Sequence, residues 1–179
     1  MTVDIQVTLD KLTKYFRPID NDPIYLVLKA HLVAEETLYG FLEKKMASPK
    51  HLVNARLSFS QSLALARAIH VLSNADWWGR IALEKLNSLR NLLAHNLEPQ
   101  NTQQRVIDFT LFVCDAIGVT KNTRTPSVVE NEFELLIQKG MNPFLLSLLA
   151  VHIAVCVHLD FDPSEILSRS EALTPREMN

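Results

Sequence analysis

Glycine is scarce, four residues in a chain of 179, and proline contributes eight. A β-sandwich or barrel needs a tight turn about every 8–12 residues, so turn-formers this sparse argue against one. No GxGxxG or Walker pattern occurs, which removes a glycine-rich phosphate loop. Cysteine is limited to Cys114 and Cys156, each inside an apolar run and without further Cys or His at metal-ligand spacing. Both read as reduced core thiols and not as a zinc site or a disulfide scaffold. An excess of one charge is missing too. Eighteen Lys and Arg face twenty Asp and Glu, a net charge of −2. Such a chain is no basic nucleic-acid coat, although a local basic surface is compatible with it. The N-terminal residues lack a basic stretch leading into an apolar one, so no signal peptide is expected and the reading is cytoplasmic.

What is present is helical periodicity, 47% hydrophobic residues and no stretch of strand-like alternation. Residues 9–16 fit a short helix. Asp22 and Pro23 look like a cap and a first-turn proline. They open a helix over residues 24–46 with apolar positions at Ile24, Leu28, His31/Leu32, Leu38/Tyr39 and Leu42. A third helix is expected over residues 53–72, with Leu57, Leu63/Ala64, Ala68 and Leu72 inward. Residues 73–76 read as a turn and cap. A fourth helix opens at Trp77-Trp78, carries Ile81, Ala82, Leu86, Leu89 and Leu93 along one stripe, and ends near His95-Asn96 before Pro99. The fifth, residues 103–117, stops at Gly118.

Composition changes after that point. Residues 1–100 carry 12 Lys/Arg and 10 Asp/Glu; residues 101–179 carry 6 and 10. The expected layout is a bundle over 1–118, a linker over 119–127, C-terminal helices over 128–162 packing on the bundle or on a second subunit, and a polar tail over 163–179. The apolar run 143–159 falls short of the roughly 20 residues a membrane span needs, and His152 and His158 interrupt it. It reads as a buried helix or a subunit interface. The fold class is all-α, an antiparallel helical bundle with additional C-terminal helices.

One segment suggests chemistry: Leu89-Arg90-Asn91-Leu92-Leu93-Ala94-His95-Asn96, at the end of the fourth helix. An arginine followed by a polar residue, with a histidine five positions on, resembles the motif of the HEPN superfamily (higher eukaryotes and prokaryotes nucleotide-binding). The matching positions are Arg90, Asn91, Ala94 and His95. The earlier helix, with His31-Leu32-Val33-Ala34-Glu35, is similar to the family's early helix, in which an acidic residue faces inward. The resemblance spans about residues 24–118. It implies a metal-independent endoribonuclease of the toxin or defence type, a homodimer acting on RNA with no cofactor and no metal. Arg90 would stabilise the phosphorane and His95 would transfer the proton. Asn91 would orient His95 or the phosphate, and Glu35 would position Arg90. Physical chemistry agrees with these roles. An imidazole titrates near neutrality, and a guanidinium fork matches a phosphate bidentately.

Around a regular helix Arg90 and His95 lie about 140° apart, whereas Asn87, Asn91 and His95 form one row, expected to lead away from the core. A frayed helix end or a partner chain is then needed to bring Arg90 and His95 together. Glu35, inside the apolar stripe, needs a partner, and Arg90 is the candidate. Trp77 and Trp78 read as core anchors. Arg80 and Lys85 with Arg90 and Arg105 offer a phosphate track, but the preferred reading is a solvated, mixed-charge face, because Glu84 is interleaved. The alternative function is a non-catalytic interaction protein: a regulator of the mannitol-repressor type, or an antitoxin or immunity protein burying a partner's surface.

Overall fold

The computed structural model describes residues 22–69, 77–95, 101–118 and 142–159. These residues form six helices that pack against one another, and no strand occurs among them. The expected helices over 9–16 and 128–139, the turn over 73–76, the linker and the polar tail lie outside the described residues.

Helix α1, Pro23–Lys45, starts where Asp22 accepts a hydrogen bond from the Ile24 amide at 2.9 Å, with Pro23 in the first turn. Lys44 and Lys45 occupy its last turn, where cations suit the exposed carbonyls. It is the hub of the fold. Its broad buried face, Leu26, Val27, Ala30, Val33, Ala34, Leu38, Phe41 and Leu42, meets three other helices. Full burial of a leucine such as Leu38 or Leu42 contributes roughly 2–3 kcal/mol. The face is rotated from the expected stripe: Ile24, Leu28 and Leu32 are 41%, 40% and 56% exposed. Packing on several sides, not the first apolar row of the sequence, decides which residues turn inward.

The single helix expected over 53–72 is two elements, α2 (Lys50–Ala55) and α3 (Phe59–Ile69). Arg56 separates them in the left-handed conformation, φ 45°. Ser58 and Gln61 then start α3 reciprocally: the Ser58 amide donates to Gln61 Oε1 at 2.8 Å, and the Gln61 amide to Ser58 Oγ at 3.4 Å. This is a capping box. Phe59, Ser62, Leu63 and Ala66 face inward, while Ala64 and Ala68 are exposed.

Helix α4, Trp78–His95, buries Ala82, Leu83, Leu86 and Leu89 and continues without a break from Leu89 to His95. Gly79 is buried beside Trp77, where a Cβ would overlap the indole. That close approach lets Trp77 stack on His158, ring centroids 4.1 Å apart, so Trp77 and Trp78 pack against the core as anchors. Helix α5, Thr102–Ala116, is followed by Gly118 at φ 89°, a conformation that suits glycine.

Helix α6, Pro143–His158, is capped by Asn142, which accepts from the Phe144 amide at 2.9 Å. It packs on α1, α4 and α5 and buries apolar residues on nearly all sides. Phe144 meets Phe109 of α5 edge-on at 5.9 Å. Both cysteines are buried free thiols, and burial raises the Cys114 pKa. Among the described residues no helix is long and apolar enough to cross a membrane.

Candidate functional site

The 100° step of α4 divides its residues among three directions. Leu83, Leu86 and Leu89 look toward the core. Asn87 and Arg90 lie on one flank, while Asn91 and position 95 ride the outer face.

On that flank α1, α3 and α4 converge on a polar cluster. Its centre is His31, only 5% exposed, whose ring packs on Phe59 with centroids 4.5 Å apart. His31 Nε2 lies 3.1 Å from Asn87 Oδ1, and the Asn87 amide donates to Ser60 Oγ at 3.2 Å. Since the amide nitrogen faces Ser60, its oxygen faces the ring, and Nε2 is the protonated nitrogen. The other nitrogen, Nδ1, stands 3.9 Å from the Glu35 carboxylate, one helical turn along α1. The His31 pKa is lowered, chiefly by burial. The Asn87 bond and the Glu35 charge oppose that shift, and the Arg90 charge adds to it. The balance favours a neutral ring at neutral pH.

Arg90 is half-buried, and its guanidinium donates to the exposed Asn91 Oδ1 at 3.2 Å. Two expected site residues, Arg90 and Asn91, are thus in contact. His95 is the last residue of α4; its backbone is helical, so no fraying brings it round to Arg90. Glu35 departs from expectation. It sits at the edge of the buried face, its side chain 41% exposed, and the ring it approaches is His31, with no bond to Arg90 among the described residues. Asn87 also departs. It does not lead out to solvent but bridges α4 to α1 and α3.

Sequence reasoning placed His31 among the apolar-face positions of its helix and within the family-like segment, but missed its bond to Asn87. The available signal was a histidine in an apolar helix face with a glutamate four residues on, a pair that shares a face and needs polar company. Ser60 carried a second signal, since the Ser58-x-x-Gln61 box fixes the turn that presents it.

Arg80 and Glu84 pair at 2.6 Å, and Arg67 approaches the same carboxylate at 3.8 Å. The expectation of a mixed-charge face holds for this part of α4. No family model, curated protein or solved structure matches the chain.

Proposed function

We propose that this chain is a HEPN-like antiparallel bundle that cleaves RNA without a metal, as a homodimer. The observation that carries the reading is the contact of Arg90 with Asn91 on an otherwise regular helix, beside a buried imidazole and a carboxylate. In the proposed reaction the 2′-hydroxyl attacks the adjacent phosphorus. The bond to the 5′-oxygen breaks, and a cyclic phosphate forms. The Arg90 guanidinium holds the charge that builds on the equatorial oxygens. Asn91 fixes the fork, and His95 carries the proton. Glu35, which the sequence reading assigned to Arg90, stands beside His31 here, where its charge raises the ring's proton affinity against the stronger effect of burial.

A dimer answers the 140° separation of Arg90 and His95, because a partner subunit supplies whichever group one chain directs elsewhere. The exposed ridge Ile24–Leu28–Leu32 supports a second copy here. By helical period Glu35 lies on that same face of α1, so a chain docked on the ridge reaches the edge of the cluster. The ridge equally favours the second reading, a non-catalytic regulator, antitoxin or immunity protein that docks a different partner.

The test is incubation of the purified chain with RNA in excess chelator. The reading expects cleavage with cyclic phosphate ends, and loss of cleavage in His95→Ala with an unchanged helical spectrum. RNA left intact by the wild-type chain overturns it in favour of the interaction protein.

A further inference from the structure

The other polar feature on the flanks of α4 is the cleft that it forms with α5. We propose that it is a phosphate subsite for single-stranded RNA, seating the strand beside the Arg90–Asn91–His95 segment; this rests on the nuclease reading. The cleft encloses about 390 Å³, with Lys85 of α4 and Arg105 of α5 among its walls. Neither cation has a carboxylate partner among the described residues. Lys85 Nζ lies 5.1 Å from the centroid of the Phe112 ring, which steadies the side chain without neutralising it.

Two carboxylates also line the cleft, and both are engaged. Glu84 is held by Arg80 and Arg67, and Asp108 accepts from the Gln104 amide at 2.8 Å. Asp108 keeps its negative charge, because an amide does not neutralise it; with Arg80 and Arg67 counted, four cations stand against the two carboxylates, a net charge of +2 above an apolar floor that includes Ile81 and Leu89. That combination suits a phosphodiester with its sugar laid against the floor.

Continuity with α4's outer face makes the ligand a strand. Ser88, which lines the cleft, falls within about 60° of Asn91 and of position 95 around the helix. Lys85 is roughly 15 Å from position 95 along the axis at 1.5 Å per residue. A single nucleotide does not bridge that distance, whereas a short strand does. The two cationic flanks of α4, Lys85 with Arg105 on one side and Arg90 on the other, then grip the backbone either side of the outer row.

The experiment measures binding of a short 2′-O-methyl oligoribonucleotide, which lacks the attacking hydroxyl, by fluorescence anisotropy in excess chelator. The double variant Lys85→Ala/Arg105→Ala should bind at least about tenfold more weakly, with a salt slope shallower by about 1.4 for two lost contacts to a single strand. Lys44→Ala/Lys50→Ala, which removes the same charge outside the cleft, should change neither, and both variants should keep the wild-type helical spectrum. Unchanged affinity and slope in the cleft variant overturn the proposal, as does adenosine monophosphate binding as tightly as the oligomer. The two readings fail separately. A wild-type chain that binds through the cleft but leaves unmethylated RNA intact removes the nuclease and keeps the subsite. One that cuts RNA while the cleft variant binds normally does the reverse.

Discussion

His31 and His152 are both imidazoles taken out of water, in different company. His31 keeps an amide on one nitrogen and a carboxylate near the other. His152 has the Cys156 sulfur at 3.6 Å and apolar neighbours, and burial pushes its pKa down to about 4 from an ordinary 6.5. Between those values the unfolded chain binds a proton that the folded chain refuses. Stability is therefore full above about pH 6.5 and falls as pH drops toward 4. For His152 the loss reaches about 3 kcal/mol. The lowered pKa of His31 acts in the same direction. Urea unfolding at neutral pH and near pH 4 measures the effect, and His152→Leu should flatten most of the slope. A wild-type midpoint that does not move with pH would contradict this assignment. The residues proposed for catalysis differ in kind from these two: Asn91 is exposed and Arg90 half-buried, which leaves them within reach of solvent-borne ligand.

At the scale of helices, α3 exists as a separate element because its first turn is closed by side chains. Ser58→Ala removes the hydroxyl half of the capping box and should cost about 1 kcal/mol, read as a lower urea midpoint with an unchanged slope. No change would mean that the tertiary contacts of Phe59 and Leu63 hold the turn unaided. The same comparison shows what the sequence could reveal. Asp22-Pro23 and Gly118 are local devices, and the helix boundaries read from them agree with the structure within a residue or two. The break at Arg56 was hidden because no glycine or proline marks it. Arg56 takes the left-handed conformation without being the residue type that signals it. The row Ile24, Leu28, Leu32 looked like a buried stripe and is exposed, because α1 is covered by three helices approaching from the other side. The candidate site divides in the same way. Arg90 and Asn91 are neighbours in the chain and were legible together. The His31–Asn87 bond joins residues 56 positions apart, and only the tertiary fold creates it.

The whole molecule places an apolar helix, α6, against α1, α4 and α5 and leaves the polar cluster and the cleft on opposite flanks of α4. Position 95 rides between those flanks, about 140° around the helix from Arg90. On the proposed reading an unbroken α4 would tie catalysis to assembly, one subunit offering its guanidinium and the other its imidazole. The measurement that tests this most directly mixes two inactive chains, Arg90→Ala and His95→Ala, and assays RNA cleavage in chelator beside the wild type. Random pairing puts half the chains in mixed dimers, each with one intact composite site, so about a quarter of wild-type activity should return. A mixture as inactive as its components, next to a wild-type chain that cuts RNA, would contradict the account.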